Sequence, residues 1–145
     1  MKYIDLPPVW TLGAWLAVWA LGTYVPIWRF SVPGVVPDVI FVAAIALALW
    51  TVVTFFRART PVEPRHTPKT LLTGGPFRLN RNPIYTALVL LVLQAALGQG
   101  ALSAFVPVAL LPWILTRRFI LSEEAALRTA FGAEAEAWLA RTRRW

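Results

Sequence analysis

Residues 39–56 read VIFVAAIALALWTVVTFF, a stretch without a single charged side chain. A helix of this length rises about 27 Å, close to the roughly 30 Å hydrocarbon core of a bilayer. The rest of the chain agrees, since 58% of its 145 residues are hydrophobic and only 14% are charged. The sequence therefore predicts an integral membrane protein rather than an ordinary soluble domain.

One further apolar run precedes this stretch, at residues 9–27, and two follow it, at residues 84–97 and 101–115. The run at 84–97 would span only about 21 Å as a helix. Gly98-Gln99-Gly100 predicts a tight turn after it, so the last two runs should form a helical hairpin.

The residues from 119 onward are rich in Ala, Leu, Glu and Arg, which favours a helix in the cytoplasm or at the membrane interface. Gly132 is expected to break or bend this tail helix, and apolar side chains should form one face of it. These side chains are Leu121, Leu127, Phe131, Trp138 and Leu139.

We therefore predict an all-α integral membrane protein with about four transmembrane helices, forming a single domain over residues 1–145. Residues 1–56 would supply two N-terminal transmembrane helices. Residues 57–145 would supply a polar loop, the hairpin and the tail helix.

The polar loop at residues 57–82 sets the expected orientation. It carries six basic side chains against the single acid Glu63, which places it in the cytoplasm by the positive-inside rule. With four crossings, both ends of the chain are then cytoplasmic. This topology accounts for the net charge of +7 without nucleic acid. The prevalence of Ala, Leu, Val and Arg favours a bacterial inner membrane.

The composition also limits the chemistry. The chain has no cysteine and one histidine, His66, so we expect no metal site. No GxGxxG follows a predicted strand, so a Rossmann nucleotide site is not expected.

Two polar clusters interrupt this apolar sequence. Residues 74–85 read GGPFRLNRNPIY, and Glu123-Glu124 follow the hairpin. Because the hairpin is tight, the segments before and after it leave the membrane side by side. We therefore expect the first cluster to face the two glutamates across a pocket open to cytosol and lipid. The side chains of the first cluster that would do so are Arg78, Arg81, Asn82 and Tyr85.

Each signal has a simpler structural interpretation. Arg78 and Arg81 suit cationic anchors that extend to the interface. Glu123-Glu124 would favour the first turn of a helix, with Ser122 as its cap. Tyr85 suits the aromatic belt of a membrane protein. Only the combination of these signals across one hairpin favours a binding site.

The two clusters resemble the motifs of a family of integral-membrane methyltransferases. That family includes isoprenylcysteine carboxyl methyltransferases and phospholipid N-methyltransferases. Its pattern is Gly-Pro-Tyr/Phe-Arg-x-x-Arg-His/Asn-Pro-x-Tyr, then a hydrophobic hairpin, then Glu-Glu-x-x-Leu-x-x-x-Phe-Gly. The matching residues are Gly75-Pro76-Phe77-Arg78, Arg81-Asn82-Pro83, Tyr85, Glu123-Glu124, Leu127 and Phe131-Gly132. Thr60-Pro61-Val62-Glu63-Pro64 is similar to the family's entry into the loop, and the resemblance covers about residues 55–145.

The resemblance implies S-adenosylmethionine as methyl donor, with S-adenosylhomocysteine as product, and makes 57–82 a cofactor-binding loop. The implied cofactor-binding residues are Gly75, Arg78, Asn82, Tyr85, Glu123 and Glu124. The implied catalytic residues are Arg81, Tyr85 and Glu124. Carboxylates would accept hydrogen bonds from the ribose or amino group, an arginine would hold the carboxylate, and Tyr85 would face the sulfonium.

Membrane lipid is then both solvent and substrate. We favour a phospholipid headgroup amine, such as that of phosphatidylethanolamine, whose proton would be accepted by Glu123, Glu124 or His66. Carboxyl methylation of an isoprenylcysteine-like substrate is the alternative, and a small thiol or another lipid also remains open. A hypothesis of another class is a non-enzymatic small membrane assembly protein.

Overall fold

The computed structural model describes residues 5–59 and 70–145, and over these residues it contains helices and no strand. The α-helices are α1 (Pro7–Tyr24), α2 (Val35–Arg57), α3 (Pro83–Gln99), α4 (Phe105–Leu115) and α5 (Leu121–Arg141). Short 3₁₀ turns occupy Gly75–Arg78 and Leu102–Ala104, and a π turn occupies Thr116–Ile120. The predicted all-helical fold is confirmed for the described residues.

Proline and charge explain where several helices begin and end. α1 starts at Pro7 and α3 at Pro83, where a missing N–H costs nothing. α2 begins four residues earlier than its charge-free core, because Pro37 is tolerated in a first helical turn. Asp38 near its start and Arg57 at its end complement the helix dipole.

The hairpin between α3 and α4 turns at one glycine. Gly100 is left-handed, with φ 60° and ψ 37°, and its N–H bonds the carbonyls of Ala96 and Leu97. Gly98 and Gln99 still belong to α3, so the predicted three-residue turn is wrong for its first two positions. The Gly100 carbonyl accepts a hydrogen bond of 2.9 Å from the N–H of Phe30. This end of the hairpin therefore packs on the α1–α2 connection.

The opposite end of the bundle joins the start of α1 to the end of α4. Asp5 accepts hydrogen bonds of 3.0 Å from both Trp10 Nε1 and Arg118 Nη1. The Arg118 guanidinium lies 4.5 Å from the centroid of the Trp10 ring. The start of the described chain and Arg118, which follows the hairpin, therefore share one end of the bundle.

The fourth apolar run and the tail do not form separate helices. The π turn links α4 to α5, so the helical segment Leu102–Arg141, 40 residues long, is continuous as far as a kink at Gly132. Pro112 lacks an N–H inside this helix, and Thr116 Oγ1 donates to its carbonyl at 2.7 Å. Ser122 is not a helix cap: its hydroxyl donates to the Phe119 carbonyl from within the helix. The expected break occurs at Gly132, with φ 51° and ψ −125°.

Two groups of buried side chains hold these elements together. The bundle cluster comprises Val18, Tyr85, Val92, Ala96, Ala104, Leu111, Leu115, Phe119 and Ile120. The tail cluster comprises Phe77, Trp138 and Leu139, with Leu127 packed against it. Of the expected apolar tail face, Trp138 and Leu139 are therefore buried, Leu127 and Phe131 are partly buried, and Leu121 is exposed.

Two helices, Val35–Arg57 and Leu102–Arg141, are long and apolar enough to cross a membrane by length and composition. α3 is apolar but has 17 residues, and α1 carries exposed apolar side chains, among them Trp15 and Trp19. The count of four crossings therefore stays a prediction.

We expect Gly100→Ala to lower the free energy of unfolding by about 2 kcal/mol, because a left-handed backbone is strained for any residue with a Cβ. The added Cβ would also collide with the Phe30 carbonyl. Gly98→Ala is the matched control, because a Cβ there meets nothing within 4 Å. In helical backbone, this control should be neutral or more stable. Thermal unfolding in detergent measures both, and equal stability of the two variants would contradict this account of the turn.

Candidate functional site

Glu124 forms the centre of a polar cluster at the end of the bundle that contains Asp5 and Arg118. Only 3% of the residue is exposed. Its Oε1 accepts hydrogen bonds from Arg81 Nη1 at 2.9 Å and Arg144 Nε at 2.8 Å, and its Oε2 accepts one from Arg144 Nη2 at 2.8 Å. One carboxylate is thus shared by two guanidinium groups, an arrangement called here the Glu124 clamp.

Arg81 links this clamp to the end of α5. Its Nε donates to the Thr142 carbonyl at 2.5 Å, and its Nη2 donates to the Leu139 carbonyl. Arg81 and Glu124 lie together, as the tight hairpin predicts. They form a direct ion pair, however, rather than standing on opposite walls of a pocket.

The last residues of the sequence complete this arrangement. The backbone N–H of Arg81 donates to the Arg143 carbonyl at 2.9 Å, and Asn82 Nδ2 donates to the Arg144 carbonyl at 3.1 Å. Trp145 packs against the bundle cluster. Sequence reasoning missed Arg144, because basic residues close to a membrane are also expected as topology signals.

Tyr85 and Glu123 form a second polar contact beside the clamp. The Tyr85 hydroxyl donates to Glu123 Oε1, and only 4% of Tyr85 is exposed. The Tyr85 ring stacks on Phe119 at a centroid distance of 6.4 Å. Glu123 is one helical turn beyond Phe119, which places it on the face that packs on the bundle cluster. It forms no ion pair within residues 5–59 and 70–145.

The two adjacent glutamates therefore differ in their acidity. Both follow Arg117 and Arg118, outside the apolar part of the long helix. Burial raises the pKa of Glu123, the hydrogen bond from Tyr85 offsets part of this effect, and the Glu124 charge raises the pKa further. Burial also raises the pKa of Glu124, but the hydrogen bonds and charges of Arg144 and Arg81 outweigh it, so this pKa is lowered.

A pocket of about 590 Å³ lies between the loop and the end of the tail helix. Its lining residues are Thr73, Gly74, Phe77, Arg78, Trp138, Arg141 and Thr142. Among the expected cofactor-binding residues, Arg78 alone lines it. Neither Arg78 nor Arg141 forms an ion pair or side-chain hydrogen bond with another residue in the described part of the chain.

Gly75 brings this loop close to α2. Its φ is +59°, and an added Cβ would lie 3.5 Å from both Trp50 Nε1 and Thr54 Oγ1 of α2. The loop therefore approaches α2 closely, and Phe77 packs edge-to-face on Phe55 with ring centroids 5.5 Å apart. It is Gly74, rather than Gly75, that contributes to the lining.

Asn80, which is buried, fixes the end of the loop. Sequence reasoning did not single it out. Asn80 Oδ1 accepts the N–H of Asn82 at 2.9 Å, and Asn80 Nδ2 donates to Thr86 Oγ1 at 2.9 Å. This local turn positions Asn82 at the start of α3. An Asn-x-Asn sequence before a proline was the available signal.

The expectations for His66 and for Thr60-Pro61-Val62-Glu63-Pro64 fall outside the described residues. In the two described segments, no group of three or more His, Cys, Asp and Glu side chains is placed to hold a metal ion.

One family model matches the part of the chain that carries most of these features. The family model described as phospholipid methyltransferase matches residues 32–134, more than two thirds of the chain. The match extends from just before α2 to just past Gly132, so it includes the loop, the hairpin and both glutamates. No curated protein and no solved structure matches the chain.

We expect Glu124→Gln to lower the free energy of unfolding by about 3 kcal/mol, because it leaves Arg81 partly buried without its ion-pair partner. The same change should speed tryptic cleavage of residues 141–144 at neutral pH. Glu136→Gln is the control: its exposed pair with Arg128, at 2.7 Å, should contribute less than about 1 kcal/mol.

The pH dependence follows from the lowered pKa of Glu124. In the wild type, the clamp should hold at neutral pH and weaken only as the pH falls below the ordinary value of 4.5 and through the lowered pKa. Equal cleavage rates for wild type and Glu124→Gln at neutral pH would show that the clamp does not hold the tail.

Proposed function

We propose, since the chain belongs to the phospholipid methyltransferase family, that it transfers a methyl group from S-adenosylmethionine to a phospholipid headgroup amine. The observation that carries this proposal is the family match across two polar clusters that the fold brings into contact. A small membrane assembly protein would explain the apolar helices, but it gives no reason for a clamp and an adjoining pocket.

The pocket beside the clamp is the site that we propose for the cofactor. Its volume of about 590 Å³ falls within the range of small-molecule sites, roughly 300–1,000 Å³. Arg78 and Arg141 supply two guanidinium groups suited to a carboxylate. Phe77 and Trp138 supply ring faces suited to an aromatic base or a sulfonium. These residues fit S-adenosylmethionine, which when bound supplies an electrophilic methyl carbon.

The geometry also suggests different roles for the residues implied by the resemblance. Hydrogen bonds to residues of the tail occupy the polar groups of Arg81, Asn82 and Glu124. We therefore propose that these side chains position the pocket rather than bind the cofactor directly. Arg81 holds the carbonyl of Thr142, which lines the pocket, so the clamp fixes one wall of it. Tyr85 and Glu123 remain on the side of the clamp that faces the bundle.

We propose a bacterial inner-membrane protein with four crossings, and with the site and both ends of the chain in the cytoplasm. This orientation is supported by the basic side chains gathered at the site end of the bundle, such as Arg57, Arg117 and Arg141. The site then lies where lipid headgroups meet the cytosol. A headgroup amine can approach from the bilayer while the cofactor is held from the cytosol.

The protein should bind S-adenosylhomocysteine, measured by isothermal titration calorimetry in detergent. Arg78→Ala should weaken binding about tenfold or more, because it removes a charge-assisted hydrogen bond worth about 1.5–3 kcal/mol. Arg117→Ala is the control, since Arg117 is exposed and does not line the pocket. Folded protein that gives no binding heat would exclude the cofactor and the enzyme with it.

A further inference from the structure

We infer that Arg118 and Trp10 form a binding site for the phosphate group of a membrane phospholipid, at the corner of the bundle where α1 begins and the π turn follows α4. Neither residue lines the pocket proposed for the cofactor. The lipid bound at this corner is a structural ligand and not a methyl acceptor. The inference therefore goes beyond the proposed function and does not rest on it.

The backbone that carries Arg118 is unusual. Arg117 and Arg118 both lie in the π turn Thr116–Ile120. Such turns are rare and frequently occur at functional sites. Because each hydrogen bond of a π turn spans one more residue than in an α-helix, the turn changes which side chains face a neighbouring helix. The π turn directly follows the apolar helix α4, so both arginines lie at the level expected for lipid headgroups.

Two residues at the start of the described chain hold the Arg118 side chain in place. Its guanidinium lies 4.5 Å from the centroid of the Trp10 ring, and its Nη1 donates to Asp5 Oδ1 at 3.0 Å. The same oxygen accepts the Trp10 Nε1–H at 3.0 Å, and Trp10 packs against the bundle cluster. The guanidinium is thus ordered before a ligand arrives, which lowers the entropic cost of binding.

The remaining donors of Arg118 are available to a ligand. Its side chain is 48% exposed. Its Nε–H and Nη2–H groups form no hydrogen bond with any residue of the two segments 5–59 and 70–145. Two such groups on a planar guanidinium can donate parallel bonds to two phosphate oxygens. The corner therefore presents a fixed pair of donors of the kind that a phosphate group accepts.

Charge also favours an anion at this corner. Arg117 and Arg118 are both positive, and Asp5 offsets only one of these charges. Basic sites between membrane helices are known to bind lipid headgroups. An arginine that merely extends to the interface would explain the position of Arg118. It would not explain the ring and the carboxylate that orient the guanidinium. An anionic lipid such as phosphatidylglycerol is the ligand that fits best.

The test uses the purified full chain in an uncharged detergent, without any methyl donor. Dioleoyl phosphatidylglycerol should raise the thermal midpoint of unfolding with a saturable dependence on lipid concentration, because a ligand of the folded state stabilises it. Dioleoylglycerol has the same acyl chains and no phosphate, so it should leave the midpoint unchanged. Inorganic phosphate, added alone, should also leave it unchanged.

Three variants locate the response. Arg118→Gln should raise the half-saturating lipid concentration about tenfold or more, because it removes charge-assisted hydrogen bonds. Arg128→Gln is the matched control and should resemble the wild type, since Arg128 is an exposed arginine farther along the same helix. Asp5→Asn keeps the side-chain oxygen and removes the competing negative charge, so it should bind the lipid at least as tightly as the wild type. Each variant is compared with itself without lipid, which removes differences in its own stability.

The outcomes separate this site from simpler explanations. Equal half-saturating concentrations for the wild type and Arg118→Gln would overturn the site. If Asp5→Asn loses the lipid response as fully as Arg118→Gln, the corner is only a link between two helices and the inference is wrong. If inorganic phosphate raises the midpoint as much as the lipid does, the ligand is a free phosphate ion and the lipid is wrong. None of these results depends on methyl transfer, so the proposed function stands or falls separately.

Discussion

The ion pairs of Glu124 with Arg81 and Arg144 hold the rest of the site in place. A buried carboxylate is costly unless each oxygen finds strong donors, and here both oxygens do. The clamp joins three segments that are distant in sequence: the loop before α3, the helix after the hairpin and the final residues. The pocket exists because these segments are held together, since its lining comes from the loop and the tail.

The same clamp gives two neighbouring glutamates opposite characters. Cations lower the pKa of Glu124, while burial beside Tyr85 raises that of Glu123. Their side chains also face different ways, one toward the tail and one toward the bundle. We therefore interpret the two glutamates as structurally distinct: Glu124 holds the loop to the tail, and Glu123 bonds Tyr85 of the bundle cluster.

The sequence predicted the parts of this arrangement that follow from simple patterns. Charge-free runs indicated the helices, Gly98-Gln99-Gly100 placed the turn to within two residues, and the short hairpin implied that Arg81 and Glu124 would meet. It could not predict the π turn, because nothing in Thr116–Ile120 separates a helix that continues from one that ends beside two arginines. It also could not predict Arg144 in the clamp, since a basic run near a membrane has the same composition whether it is a topology signal or an ion-pair partner. Tertiary contact, rather than local propensity, decided both.

Methylation of a lipid amine at the membrane surface is the activity that we propose for this protein. The most direct measurement incubates the purified protein with methyl-labelled S-adenosylmethionine and total bacterial membrane lipid, and then separates the lipids. We expect label in N-methylated derivatives of phosphatidylethanolamine. Folded protein that leaves every lipid unlabelled, or that labels only an added prenylcysteine acid, would contradict it.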